Sequence, residues 1–467
     1  MSIERGRQIG RRWHAEEGFG EALAPYAEHR LQGSGWERPA LHLEDVSAIP
    51  FVNIIPGVEQ YQHRARVRAY DGDLFAAVTP VPEGYEAYCR DTLMLSAPGL
   101  LKAEPLHSPM AVTLACSEGS AFKELVAWAK RSGPVNLHPY MAISPVWQLA
   151  EKLSNESGVD VDVVGPPPPT LWIANDKWSL HRIIEEICGP EWLATTRSVT
   201  SKSMAANELG ALAKSFRKVG LKRTRCASAM GNRVYDGSSI AELSAAERAV
   251  LVERFAQDTE WDGEEELLVV EWIDSVASPS TQVWLPPLGD GDPIVEGVYE
   301  QILEGEEQVF VGSRPSTLGH EIDDAITQAS LAVSAAFQEL GYVGRCSFDF
   351  VVRRPGTGAV ACFTECNGRW GGTSTPMHLV DRLFDERPHY VAQDWQNDTL
   401  IGMTFEELRA ALEPDLWTPQ NPDGRFILYN VGPLENDGKF DVISLGDTPE
   451  EAWEGTQFVL REKLLGG

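Results

Sequence analysis

The chain has 467 residues, with 69 acidic against 40 basic side chains and a formal charge of −29. A single hydrophobic core rarely grows past about 250–300 residues, so this length calls for two or three domains. The acidic balance repels nucleic acid and anionic membranes and argues against both as partners.

Met1–Arg7 is charged and no apolar h-region follows it. No stretch approaches the roughly 20 apolar residues of a membrane span, so a soluble, cytoplasmic protein is expected. The seven cysteines are odd in number, scattered and without a Cys-x-x-Cys pair, which suggests reduced thiols rather than a disulfide framework or a zinc site.

Up to residue 170 the pattern alternates strands and helices. The apolar runs Ile49–Ile55 and Met110–Ala115 are expected as buried strands, and Ser120–Arg131 and Pro145–Leu153 show helical spacing. Val161–Gly165 closes this α/β segment. Four prolines follow, Pro166 to Pro169, expected as a stiff extended connector at a domain boundary.

Asp176 is placed to cap a helix through Ile183, Ile184 and Ile187 that Gly189-Pro190 stops. A basic helix, Glu208–Arg217, leads to a strand carrying Lys222 and then to a small-residue loop, 226–232, that includes Ser228 and Gly231. The positive charge gathered between Lys202 and Arg233 fits an anionic ligand, with a solvated helix face as the alternative. Leu267–Ile273 reads as a buried strand ending in Glu271-Trp272-Ile273. From His320 to Leu340 the residues Ile322, Ile326, Val333, Phe337 and Leu340 mark one helix face, and Gly341 suits its stop.

Two apolar segments then carry oxygen ligands: Ser347–Val352, with Asp349, and Phe363–Thr373, with Glu365 and Asn367. If they pair as a hairpin about the turn Pro355–Gly358, Asp349 lies opposite Glu365 and Asn367 falls on the same face. A hard cation such as Mg²⁺, or Mn²⁺ in its place, takes one or two carboxylates and completes its shell with water and phosphates. Cys346, Cys362 and Cys366 fall at even positions and are expected on the opposite, buried face. Beyond Asp385, strands are expected near Phe426–Tyr429 and Phe440–Ser444, with a final helix capped at Thr448-Pro449 and no evident chemistry.

The order Asp176-Lys177, Lys222 with its loop, Glu271-Trp272-Ile273, Asp349, and Glu365-x-Asn367-x-Arg369-x-Gly371-Gly372-Thr373 resembles the ATP-grasp ligase superfamily. The segments Glu300–Leu303 and Phe310–Ser316 and the run Glu-Cys-Asn-Gly-Arg at 365–369 are similar to the pheganomycin-type peptide ligases. The resemblance implies a mixed α/β fold. Residues 1–170 would form a pre-ATP-grasp α/β domain, 171–385 a two-lobed ATP-grasp domain with its lid lobe at about 216–275, and 386–467 a small C-terminal α+β segment.

It also implies roles. Lys177, Lys222, Ser228 and Gly231 would hold the nucleotide phosphates, and Glu271, Trp272 and Ile273 the adenine. Asp274 would stand in for the ribose carboxylate that simpler ligases place after the hinge. Asp349, Glu365 and Asn367 would bind Mg²⁺, Arg369 would stabilise the transferring group with Arg345 and Arg314 as further candidates, and Gly371, Gly372 and Thr373 would face the substrate. The implied reaction is ATP-dependent carbon–nitrogen ligation of amino acids or peptides through an acyl phosphate, in peptide or amino-acid-derived natural product biosynthesis. A phosphotransferase on the same scaffold and a nucleotide-binding module without turnover stay open as alternatives, as does the homodimer common in the superfamily.

Overall fold

The computed structural model describes residues 1–226, 231–305, 309–353 and 361–466. A parallel sheet comes first, formed by β1 (Ala40–Leu43), β2 (Leu74–Ala77), β3 (Gly99–Lys102), β4 (Val135–Pro139) and β5 (Val161–Val163) in the order 3-2-1-4-5. Helices Gly119–Ser132 and Ser144–Ser157 bury Leu125, Trp147 and Leu153 against it, as their spacing predicts.

Two apolar runs expected as strands are something else. Ile49–Ile55 forms turns and a short 3₁₀ segment, Val52–Ile54, because Pro50 has no N–H to give a ladder and Phe51 adopts a left-handed φ of 60°. Met110–Ala115 ends in a helix, Val112–Cys116, whose Val112, Ala115 and Cys116 are buried in the same core. A short apolar run alone does not separate a strand from a buried helical turn.

The four prolines are not wholly an extended connector: Pro168 opens helix α1 (Pro168–Asn175), where a missing N–H costs nothing. Helix α2 (Lys177–Cys188) follows at once, with Asp176 capping it by accepting the N–H groups of Trp178 and Ser179. The expected basic helix is Lys202–Leu212, so Lys214 and Arg217 fall after its end. An antiparallel sheet follows, made of β6 (Thr196–Val199), β7 (Lys218–Arg223), β8 (Asn232–Asp236) and β9 (Leu267–Glu271) in the order 6-9-7-8.

The largest sheet contains β10 (Ser275–Ala277), β11 (Pro279–Leu285), β12 (Ile294–Glu304), β13 (Val309–Pro315), β14 (Gly344–Arg353), β15 (Ala361–Asn367), β16 (His389–Gln396), β17 (Phe426–Asn430) and β18 (Lys439–Gly446). Strands β14 and β15 are antiparallel, and Asp349 does pair with Glu365, while the turn at Pro355–Gly358 lies outside the described residues. Helix α3 (His320–Glu339) covers the hairpin's apolar face, packing Val333 and Phe337 with Phe348, Phe350 and Phe363 and with Ile183 and Ile184 of α2. Phe348 is fully buried there, so truncating it to alanine would cost about 3–5 kcal/mol. This rigid backing fixes where the carboxylates point.

The register shifts by one residue between Asp349 and Phe350, pairing Phe350 with Phe363. That irregularity carries Cys362 away from the expected face: Cys346 and Cys366 sit in the core with Phe348, whereas the Cys362 thiol lies 3.0 Å from Arg353 Nε. Strands β16, β18 and β17 extend the same sheet beyond β13, through the pairs Gly312 with Gln393 and Ser313 with Ala392. Among the described residues, no helix is long and apolar enough to cross a membrane, and no disulfide forms.

Candidate active site

A cavity of about 1070 Å³ lies over the hairpin, walled by β7, β8 and β9 on one side and by the exposed face of the large sheet on the other. Lys222, on β7, reaches into it with its ammonium 4.6 Å from the ring centre of Trp272. Burial, and then the like charge of Lys177, push the Lys222 amine down to about 8. Lys222 has no ion pair among the described residues, and such a cation facing a cavity is a site for an anion.

Lys177 is the first residue of α2, yet it is no solvated helix-turn residue. It is buried, donates to the Cys226 carbonyl at 2.7 Å and forms an ion pair with Glu365 at 3.0 Å. Burial alone would raise Glu365, but Lys177, and beyond it Lys222 and Arg369, outweigh that and hold its carboxyl below the usual range. Across the hairpin, burial and the facing Glu365 push Asp349 up to about 7. Asp349 Oδ2 accepts from the Asn367 amide at 3.0 Å, and Oδ1 is buried with no hydrogen-bond partner among the described residues.

Among the described residues no group of three or more His, Cys, Asp or Glu could hold a metal. The donor set offered here is two carboxylates and an amide, which suits a hard cation that keeps water and phosphate in the rest of its shell. The orphaned Asp349 oxygen is the observation in favour of that fit: a cation would satisfy it and offset the repulsion between the two acids.

Arg369 follows the hairpin and lines the cavity. Its Nη1 lies 3.4 Å from Asn175 Oδ1, which also accepts the Gly368 N–H at 3.1 Å, and its Nε is buried without a partner. Asn175, at the end of α1, therefore sets the turn that aims the guanidinium. Gly371, Gly372 and Thr373 line the same wall, and Thr373 immediately precedes helix α4 (Ser374–Leu383) without a side-chain hydrogen bond to its first turn. The Gly371 N–H is already taken by Ser374 Oγ at 2.6 Å, so it is not an idle donor. Gly372 has a packing reason: a Cβ there would come within 2.5 Å of the Phe310 ring.

Glu271, Trp272 and Ile273 line the cavity beside Lys222. Glu271 accepts the Thr195 N–H at 3.1 Å and lies 3.8 Å from Arg353, while the Trp272 N–H donates to the Lys218 carbonyl at 3.0 Å. Gly231 reaches the cavity too; Ser228 lies outside the described residues.

Three expected residues are not brought here. Asp274 is held by Arg217 at 3.2 Å and Lys218 at 3.1 Å, away from the cavity lining, which removes it as a ribose ligand. Arg345 pairs with Glu296 and lies over Trp370, and Arg314 pairs with Glu300 at 3.3 Å near Trp453. Neither lines the cavity, because each is neutralised behind it.

No family model and no curated protein matches the sequence. Solved structures do. The biotin carboxylase of Campylobacter jejuni, in a β,γ-ATP complex, aligns over 92% of this chain and 91% of its own at 13% identity, with a TM-score of 0.55. N5-carboxyaminoimidazole ribonucleotide synthetase from Thermus thermophilus aligns over 92% and 98% at 14% identity, TM-score 0.51. The synthase from Aspergillus clavatus, complexed with ADP and 5-aminoimidazole ribonucleotide, aligns over 91% and 99% at 13% identity, TM-score 0.51. The chain has the ATP-grasp fold.

Within this ATP-grasp frame, sequence reasoning missed one whole end of the cavity. Tyr61, Arg64 and Tyr140 reach it from the leading region, and Asp394, Lys439 and Asp441 from strands β16 and β18. The C-terminal segment therefore does bring chemistry, contrary to expectation. No local motif marks these residues, since they meet only when the large sheet is assembled. His181, which shows no ligand spacing in the sequence, also lines the cavity, stacked on Trp178.

Proposed function

We propose that the protein is an ATP-dependent carboxylate–amine ligase that forms an amide and releases ADP and phosphate. The observation that carries this reading is the convergence of Asp349, Glu365, Lys177, Lys222 and Arg369 on one cavity of an ATP-grasp fold. The similar structures crystallised with ADP or an ATP ligand support it as analogues of fold.

Lys222 and Lys177 neutralise phosphate oxygens, and Trp272 and Ile273 border the base, next to the apolar wall of Leu180 and Ile184. Asp349, Glu365 and Asn367 would hold Mg²⁺, which would supply positive charge against the phosphates. A substrate carboxylate attacks the γ-phosphorus, the bond to the β-phosphate oxygen breaks, and an acyl phosphate and ADP result. Arg369 stabilises the charge that develops on the transferring group and later on the tetrahedral centre. An amine then attacks the acyl carbon, loses a proton and expels phosphate.

We further propose a pheganomycin-type peptide ligase acting on amino acids or peptides in natural product biosynthesis, in the cytoplasm; the run at 365–369 and the leading α/β segment support that reading. In the test, purified protein with Mg-ATP is incubated with pooled amino acids and short peptides. Phosphate should appear only when both a carboxylate and an amine are supplied, and Asp349→Asn should abolish it in a folded protein. AMP and pyrophosphate as products would overturn the acyl-phosphate route, and a phosphorylated product with no need of an amine would make the enzyme a phosphotransferase.

A further inference from the structure

Asp394 and Asp441 stand directly opposite each other on β16 and β18, on the side that lines the cavity. Like charges at cross-strand positions repel, so such a pair needs a local reason. One acid is answered within the protein: Asp394 pairs with Lys439 Nζ at 2.8 Å, and that ammonium also donates to the Tyr61 hydroxyl at 2.7 Å. The other is not. Asp441 is 5% exposed, its Oδ2 accepts from the Asn430 amide at 3.0 Å, and its Oδ1 is buried with no hydrogen-bond partner among the described residues.

The remaining cation nearby, Arg64, acts on Asp441 only through space, without an ion pair to it among the described residues. Arg64 is drawn to Glu44 at 3.0 Å and lies over the Tyr61 ring at 4.2 Å. Asp441 thus has no ion pair among the described residues, at an end of the cavity walled by the phenol rings of Tyr61, Tyr140 and Tyr429. A carboxylate with an unfilled acceptor beside electron-rich rings selects a compact cation that carries N–H donors.

We propose that Asp441, with Asp394 and the tyrosine wall beside it, seats the primary ammonium group of an amino-acid substrate. The assignment rests on the ligase reading and adds to it the residue that recognises the substrate's amino group. Burial and the facing Asp394 push the Asp441 carboxyl up to about 7, in keeping with an acid that lacks its partner. A bound ammonium would supply that partner.

The probes are the proteinogenic L-amino acids, each with its N-acetyl derivative, titrated calorimetrically into the full-length protein with and without MgADP. The amino acids that bind the wild type should lose at least about tenfold in affinity on N-acetylation, the loss expected when a charge-assisted bond of about 1.4 kcal/mol or more is removed. Asp441→Asn should weaken the same amino acids and leave MgADP affinity unchanged. Equal binding of the acetylated forms, equal binding by Asp441→Asn, or no amino-acid binding up to about 10 mM would overturn the assignment. Should Asp441→Asn fail to fold, the acetylation series on the wild type decides alone. If MgADP does not bind but the amino acids discriminate as expected, the nucleotide reading has failed and this one stands.

Discussion

Removing the Asp441 charge should change the protein's stability, with a sign that depends on pH in a defined way. The carboxyl faces Asp394 from β16, Lys439 on its own strand, Asn430 from β17, and Arg64 and Tyr61 from the segment Val58–Arg68. The balance raises it from 3.8 to about 7, with burial as the largest cause and Asp394 next. A group whose folded value lies above its unfolded value stabilises the folded state below the unfolded value, and that stability is lost as pH rises through the folded value. The loss falls between pH 3.8 and 7 and amounts to about 4 kcal/mol. In Asp441→Asn this dependence vanishes. The amide oxygen can still accept from Asn430, but the amide nitrogen then occupies the unpartnered Oδ1 position, and a buried N–H without an acceptor costs about 1–3 kcal/mol. The variant should therefore be less stable than the wild type at pH 4 by about 1–3 kcal/mol and more stable at pH 8 by a similar amount. Urea unfolding of both proteins from pH 4 to 8 checks this, because groups common to both cancel in the difference. A difference that stays flat across the range would show that Asp441 carries no excess charge and would refute the reasoning.

The remaining expectations concern single side chains. Arg369→Ala should lower kcat by about 10²–10³ in the ligation assay, with an unchanged melting temperature, if the guanidinium meets developing charge; an unchanged kcat would remove it from the chemistry. Gly372→Ala should cost about 1–3 kcal/mol, because the added methyl meets Phe310 at 2.5 Å, and Phe310→Leu in the same chain should recover part of that in a denaturation series. His63 is fully buried, and burial pushes its imidazole down to about 4. The unfolded chain takes up this proton near pH 6.5 and the folded one only near 4, so stability falls by about 3 kcal/mol as pH drops through that window. His63→Gln should lose that slope in the same urea experiment.

What could be read from the sequence is what short-range geometry decides. The pairing of Asp349 with Glu365 follows from alternation about a nearby turn, the cap at Asp176 from one side chain and the two N–H groups after it, and helix α3 from its spacing. Where the outcome depends on a distant partner, the same reasoning loses its hold. Asp274 and Arg345 look like site residues until Arg217 and Lys218, or Glu296, neutralise them. Ile49–Ile55 has strand composition, and Pro50 and the left-handed Phe51 turn it aside.

The far end of the cavity, at Asp394 and Asp441, shows the same limit from the other direction. Asp394 and Asp441 are 47 positions apart in a segment with no motif, and Arg64 and Tyr61 are more than 300 positions before them. Only the joining of β13 to β16 carries the large sheet from the carboxylates of the hairpin to these two acids. The nucleotide half of such a site can be written in local motifs because one ligand imposes one constellation on neighbouring strands. The far end is assembled from the leading region and the C-terminal segment, so what it offers becomes visible only as an unpartnered carboxylate oxygen in the folded chain.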